Sequence, residues 1–327
     1  MFRKLLVMVG AAAFVLAQST ESEAGTTLKI GTLAPQGSPW ASAFSTFASQ
    51  VNSDTGGEVT LDFRFSYGDE VRMVGDIRSG QLDGAAITAV GLGQIYKDVL
   101  IFQLPGLFSN WGKLDAARNA MKGQLEAEFE KQGFKILGWG DVGAAKIMSM
   151  GFDIKRPSDL SGKGCYFLAG DPIGPVLFSK IGGVTPKQVS VPEILPGLNN
   201  GSINVLFAPP LAAEQLQWAS KVDHINTMTA GFGIGAIVVS STKHQSIPEQ
   251  HRNTLASKGK ETGDKLTQAI RNADAQAFAR LKTRKTAYEP TDDEKKEWRK
   301  LMDDTRSQLR GSVFTASVFD QVVNLAK

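Results

Sequence analysis

The sequence of 327 residues is poor in the side chains that bind metals and form disulfides. Cys165 is the only cysteine, so no internal disulfide and no cysteine-rich zinc site can form. The three histidines, His224, His244 and His251, do not have the spacing of metal ligands. We therefore expect no metal and no cofactor.

Signatures of catalysis and of nucleic-acid binding are also missing. The sequence contains neither a nucleophile elbow (G-x-S-x-G) nor a phosphate-binding P-loop. The glycine run Gly231–Gly235 precedes a predicted strand, whereas a dinucleotide-binding fingerprint follows one. With 36 Lys and Arg against 33 Asp and Glu, the net charge is +3, and no basic stripe carries interleaved aromatics. These absences predict a protein that is not an enzyme and has no nucleic-acid partner.

Only one long apolar run occurs, at the N-terminus. Leu5–Ala17 follows the basic pair Arg3 and Lys4 and is too short to span a membrane. Small residues at 22 and 24 flank Glu23, which is typical of a signal-peptidase site. Residues 1–24 are therefore predicted to be a signal peptide cleaved near Ala24, and the mature protein is predicted to work in the periplasm.

Two segments carry nearly the same pattern, Ile77–Ala85 and Leu198–Leu206. Each shows the end of an amphipathic helix, a glycine stop, an apolar residue, and Asp or Asn entering an apolar strand. A glycine at this position supplies the positive φ that a helix end favours. The repeat predicts two similar α/β lobes, and a cleft between domains is a favoured ligand site.

The rest of the pattern places these lobes along the chain. Residues 25–145, with parts of 235–327, are predicted to form the first lobe and residues 146–234 the second, with strands crossing between them. Residues 247–286 contain few helix breakers and predict one long helix spanning the lobes. The expected fold class is α/β, a two-lobed periplasmic binding protein with crossing strands and a long C-terminal helix.

Four motifs, spread in order along the mature chain, resemble those of one family. They are the segments 32–40 (TLAPQGSPW), 80–84 (GQLDG), 104–108 (LPGLF) and 157–163 (PSDLSGK). Together they resemble the substrate-binding proteins of tripartite ATP-independent periplasmic (TRAP) transporters, the DctP family. The resemblance implies a receptor that closes on a small solute and delivers it to membrane permease subunits.

At the positions that this family uses to bind carboxylates, this sequence carries residues of other types. The resemblance places Tyr166 where the family usually carries a carboxylate-binding Arg, Lys146 at a second Arg, and Ala208 at an Asn. A tyrosine cannot supply the planar two-bond fork of a guanidinium. A small dicarboxylate or sugar acid is therefore not the expected ligand.

The loops that follow the predicted strands are rich in aromatic residues instead. Open α/β sheets bind ligands at these loops, so the expected ligand is hydrophobic or amphipathic, such as a lipid-like acid or an aromatic compound. The subset of the family with apolar clefts works with a tetratricopeptide-repeat protein, and the resemblance implies such a partner. The candidate ligand-binding residues are Trp40, Tyr67, Thr88, Trp139, Lys146, Tyr166, Phe167, Phe207, Ala208 and Phe232.

Two alternatives remain open from the sequence. In the first, the protein is a conventional carboxylate receptor in which Lys146 and either Arg64 or Arg72 replace the missing arginines. In the second, it is an interaction protein that acts through its C-terminal helices and has no functional cleft.

Overall fold

The computed structural model describes residues 25–327, and the predicted signal peptide lies outside them. Eleven α-helices occur in this part of the chain: α1 (Pro39–Asp54), α2 (Glu70–Arg78), α3 (Ala89–Leu92), α4 (Trp111–Lys131), α5 (Ile173–Ser179), α6 (Val191–Asn199), α7 (Pro210–Gln215), α8 (Ser241–Gln245), α9 (Glu249–Arg284), α10 (Asp292–Leu309) and α11 (Ala316–Leu325). The strands are β1 (Thr26–Thr32), β2 (Val59–Arg64), β3 (Gly84–Thr88), β4 (Phe134–Ser149), β5 (Tyr166–Leu168), β6 (Lys187–Val189), β7 (Val205–Ala208), β8 (His224–Ser240) and β9 (Thr286–Tyr288).

The repeated helix–glycine–strand unit has the same hydrogen bonds in both lobes. Gly80 and Gly201 adopt φ values of +76° and +73°, as the sequence predicts. Asp83 then accepts from the backbone N–H of Lys29 at 2.8 Å, and Asn204 accepts from the backbone N–H of Gly164, also at 2.8 Å. In each lobe, one short polar side chain thus fixes the start of the incoming strand to the backbone of an earlier segment.

The two lobes share one main sheet. Its strand order is β2-β1-β3-β8-β4-β7, with β9 paired to β8, while β5 and β6 form a separate two-stranded sheet. Strands β1, β2 and β3 are parallel, and β8 is antiparallel to both β3 and β4. We refer to β1–β3 with α1–α4 as the first lobe and to β5–β7 with α5–α7 as the second.

Strands β4 and β8 are long enough, at 16 and 17 residues, to contribute to both lobes. The sequence suggests shorter pieces, 134–140 and 144–152 for β4 and only 234–241 for β8, and this is wrong. Glycines interrupt the apolar pattern without interrupting the pairing, because the ladder continues through irregularities at Ile136/Gly138, Asp141/Gly143 and Ala145/Ile147.

The C-terminal helices join the lobes. Helix α9 contacts α1 in the first lobe, α7 in the second and β4 between them, while α10 packs on α5 and α11 on α4. The lobes also contact each other directly, since Gln94 Nε2 donates to the Gly170 carbonyl at 3.3 Å. The exact lobe boundaries near residues 145 and 234 stay predictions. Within residues 25–327, no helix combines the length and apolar character needed to cross a membrane.

Candidate functional site

A cavity of about 210 Å³ lies between the two lobes. Its first-lobe wall comes from the end of β1, from α1 and from the end of β3. Its second-lobe wall comes from β5, α6, β7 and α7, and the crossing strands and α9 close it between them. The carboxyl ends of parallel strands β1 and β3 therefore open into it, as in other α/β ligand sites.

Six of the ten candidate residues line this cavity. They come from α1, β3, β4, β5 and β7, elements that are far apart in the chain, and are Trp40, Thr88, Trp139, Tyr166, Phe207 and Ala208.

The other four candidates lie outside the cavity. The Tyr67 hydroxyl donates to Asp76 Oδ2 at 2.9 Å, which ties it to α2. Phe167 alternates with Tyr166 and Leu168 along β5, so its ring faces away from them. The Phe232 ring packs on Trp111, with ring centroids 4.4 Å apart, in the first-lobe core.

The fourth of these candidates, Lys146, is a buried cation with its own partners. Its ammonium donates to the Thr227 carbonyl at 2.7 Å and to Thr229 Oγ1 at 2.8 Å, and it lies 4.3 Å from the centre of the Phe278 ring. The arginines of the carboxylate alternative are exposed and paired with acids on their own elements, Arg64 with Asp62 and Arg72 with Asp76. None of the three cations reaches the cavity.

The burial of Lys146 predicts that the free energy of unfolding depends on pH. Burial lowers the pKa of its ammonium from 10.5 to about 8, so the unfolded chain binds the proton more tightly than the folded chain does. Between pH 8 and 10 this group should therefore contribute a rise in the free energy of unfolding of up to about 1.4 kcal/mol per pH unit. Urea titrations of the wild type and of Lys146→Met across this range test it: the unfolding free energy of the wild type should rise with pH relative to that of the variant, which lacks this contribution. Equal slopes in the two proteins would contradict the assignment.

Two indole groups and one hydroxyl of the cavity differ in how their hydrogen-bonding capacity is used. Trp40 Nε1 donates to the Asp141 carbonyl at 3.3 Å, and Trp139 Nε1 donates to Glu126 Oε1 at 3.0 Å. The third group, the Tyr166 hydroxyl, belongs to β5 on the second-lobe wall. Burial raises the pKa of this hydroxyl, so Tyr166 stays a neutral donor.

Several cavity residues carry no signal in the sequence that identifies them as ligand-facing. Trp218, in a 3-10 helix (Trp218–Ser220), and Ile194 on α6 line the second-lobe wall. Glu70, the first residue of α2, lines the first-lobe wall. Each belongs to an apolar or helix-start pattern that also occurs in ordinary cores and caps.

The cavity contains no lysine or arginine among its lining residues in the described part of the chain, but it contains two acids. The carboxylate of Asp141 is held by Arg118 Nη1 at 2.7 Å and by Arg271 Nε at 2.6 Å. The carboxylate of Glu70 accepts from the Thr88 N–H at 2.6 Å, from Thr88 Oγ1 at 2.7 Å and from the Gly91 N–H at 3.1 Å.

Close backbone packing between α9 and β4 closes the cavity between the lobes. Gly138 on β4 and Gly263 on α9 both line the cavity. A Cβ at Gly263 would overlap the Trp139 carbonyl, and one at Gly259 would lie 2.6 Å from the Leu137 carbonyl. The spacing of four residues puts both helix glycines on the face that touches β4.

The profile of one protein family matches almost the whole described chain. The model of the bacterial extracellular solute-binding proteins of family 7, DctP, matches residues 30–309. The chain belongs to this family.

Curated relatives of this family 7 chain are distant. It is 27% identical over 197 residues to an uncharacterized protein, y4mM, of Sinorhizobium fredii, covering 59% of this chain and 36% of that protein. It is 25% identical over 184 residues to a solute-binding protein of Verminephrobacter eiseniae, covering 55% of this chain and 54% of that one. The matches thus span about a third and about half of the relatives' lengths.

Solved structures share the fold at low sequence identity. A TRAP periplasmic solute-binding protein from Ralstonia eutropha with bound (S)-2-acetolactate gives a TM-score of 0.84 at 19% identity, covering 92% of this chain and 98% of that one. A sugar acid binding protein from Advenella mimigardefordensis in complex with galactonate gives 0.86 at 15% identity, covering 92% and 98%. These likenesses establish the two-lobed TRAP-receptor fold for the family 7 chain.

Proposed function

We propose that this protein is the extracytoplasmic solute receptor of a TRAP-type secondary transporter, and that it captures a small hydrophobic or amphipathic ligand between its lobes. The receptor would work in the periplasm and deliver the ligand to membrane permease subunits. The observation that carries the proposal is the inter-lobe cavity, whose described lining is mostly apolar and contains no cation.

The physical basis is the cost of moving a charge out of water. A carboxylate taken into a closed apolar cavity without a cation costs several kcal/mol of binding free energy. An apolar ligand gains about 25 cal/mol for each Å² removed from water, with no such cost. The related receptors crystallised with acetolactate and galactonate bind anions, so the proposal separates this chain from them by the chemistry of its cavity.

The two alternatives receive less support. A conventional carboxylate receptor needs Lys146, Arg64 or Arg72 in the cavity, and the lining includes none of them. An interaction protein without a functional cleft would fill the space between its lobes with its own side chains, whereas about 210 Å³ stays open here. We do not extend the proposal to a tetratricopeptide-repeat partner, because no finding on this chain supports one.

The class of ligand can be identified from small molecules that co-purify with the protein. We expect native mass spectrometry of the full chain, expressed in a Gram-negative host and recovered from the periplasm without detergent, to show a co-purifying small molecule. Organic extraction should release a lipid-like or aromatic mass. Ala208→Trp, which places an indole in the cavity, should abolish this co-purification.

The matched control adds the same indole outside the cavity. Ala127 is exposed on α4, so Ala127→Trp should retain the ligand mass. Retention of the ligand by Ala208→Trp, or release of a small dicarboxylate or sugar acid from the wild type, would contradict the proposal.

A further inference from the structure

The charged groups of the cavity, in addition to its apolar lining, determine which ligands it can bind, because they distinguish two classes of apolar ligand. A fatty acid and a fatty amide have the same tail, but only the acid brings a negative charge. The two acids that line the cavity, Asp141 and Glu70, determine how such a charge is received.

Asp141 contributes little net charge to the cavity. Its carboxylate is fully buried and shared by Arg118 and Arg271, which also share Asp115. Hydrogen bonds from Arg271 hold the pKa of Asp115 below its usual value, as expected where two acids meet two guanidinium groups. Because the network contains two carboxylates and two guanidinium groups, it is neutral overall. Asp115, Arg118 and Arg271 do not line the cavity, so these side chains lie behind its wall.

Glu70 has no such compensation. Glu70 is only 5% exposed. The three hydrogen bonds that its carboxylate accepts come from uncharged groups, two from Thr88 and one from the Gly91 N–H. Among residues 25–327 no Lys, Arg or His forms an ion pair with it. Burial raises the pKa of its carboxyl, whereas the hydrogen bonds from Thr88 and the Gly91 N–H act in the opposite direction and favour the ionised form. The bonds to the start of α3 hold this carboxylate in place.

We infer that the cavity excludes anionic ligands, and that Glu70 is the residue responsible. An anionic ligand would meet one uncompensated carboxylate in a low-dielectric space with no cation to offset it. This inference rests on the proposed function and narrows its ligand class, because it removes lipid-like acids and leaves ligands without a negative charge, such as neutral amides, alcohols, ketones and aromatic compounds.

The opposite wall fits a neutral ligand with one hydrogen-bond acceptor. Tyr166 and Trp218 both line the second-lobe wall. The phenolic hydroxyl and the indole N–H can each donate a hydrogen bond. A carbonyl or ether oxygen would satisfy them, while the apolar part of the ligand contacts the remaining wall.

Two ligands that differ only in charge test the inference. The uncharged dye N-phenyl-1-naphthylamine, which fluoresces in apolar sites, would be displaced from the full-length protein at pH 8 by octanamide or by octanoate. We expect octanamide to displace the dye at a concentration at least tenfold lower. Glu70→Gln should reduce this ratio at least threefold, whereas Glu58→Gln, the same change at an exposed position outside the cavity, should keep the wild-type ratio.

Different results would contradict the charge selection, the role of Glu70 and the receptor function. A wild-type ratio near one, or in favour of octanoate, overturns the charge selection while leaving the apolar receptor standing, and it needs no variant. An unchanged ratio in a folded Glu70→Gln protein overturns the role of Glu70. A wild type that does not bind the dye and is stabilised by neither octanamide nor octanoate overturns the proposed function, and the inference with it.

Discussion

Replacing Gly263 by alanine should destabilise the protein more than replacing Gly259, the other glycine of α9 that contacts β4. A Cβ at this position would overlap the Trp139 carbonyl and lie 3.2 Å from the Trp139 backbone nitrogen. Backbone cannot rotate away as a flexible side chain can, so α9 must shift relative to β4. Overpacking of this kind costs about 3 kcal/mol of unfolding free energy, and urea denaturation followed by circular dichroism measures it.

The same substitution should also weaken ligand binding, because Gly263 and Trp139 are part of the cavity wall. The control is Gly123→Ala in α4, where a Cβ would meet nothing within 4 Å. There the gain in helix propensity should stabilise the protein by about 0.5–1 kcal/mol. A Gly263→Ala protein as stable as Gly123→Ala would show that the helix–strand contact is looser than the structure indicates.

Local features of this fold could be predicted from the sequence because each depends on neighbouring residues. Ser38 caps α1 by accepting from the Ala41 N–H at 3.2 Å, as its position before Pro39 predicts. Thr291 begins α10 with a capping box, and the sequence predicts a helix over 70–78, which is observed as α2. The long helix predicted over 247–286 is observed as α9. In each case the signal is a cap, a glycine or a helical period within one segment.

Features that depend on pairing between distant segments could not be predicted in the same way. The first half of β8 reads as a polar stretch, yet it pairs with β4 through His224 and Asn226. Strand β9 has only three residues and exists because β8 offers it an edge. Trp218 and Glu70 line the same cavity because the folded chain brings the two lobes together. No local sequence pattern therefore distinguishes Trp218 from a core residue or Glu70 from an ordinary helix-start residue.

The alternation of side chains at β5 bears on one of the candidate residues, Phe167. The alternation along β5 puts Cys165 on the opposite side from Tyr166, and the structure confirms this, since the two belong to different hydrophobic clusters. The same alternation puts Phe167 on the Cys165 side. Phe167 and Tyr166 therefore cannot both face the cavity.

The second large effect is expected at Asp141, where one buried carboxylate holds two guanidinium groups. Asp141→Asn removes the charge from a side chain that is 0% exposed, beside Arg118 and Arg271 side chains that are only 9% and 13% exposed. Removing one partner of a buried ion pair costs about 3–5 kcal/mol of unfolding free energy, because the remaining charge is left buried and unpaired. Asp115 still contacts both arginines, which places the expected loss near the lower end, about 3 kcal/mol.

The comparison with an exposed pair makes this prediction specific. Asp320 binds Arg310 on the surface, with both side chains about half exposed, so Asp320→Asn should cost less than about 1 kcal/mol. The Asp141 carbonyl also accepts from Trp40, and Arg271 lies 4.2 Å from the centre of the Trp111 ring. Loss of the carboxylate therefore loosens α9 against the crossing strand at the cavity wall. Equal destabilisation by the two substitutions would mean that the buried network holds α4 and α9 against β4 no more firmly than a surface ion pair holds its partners.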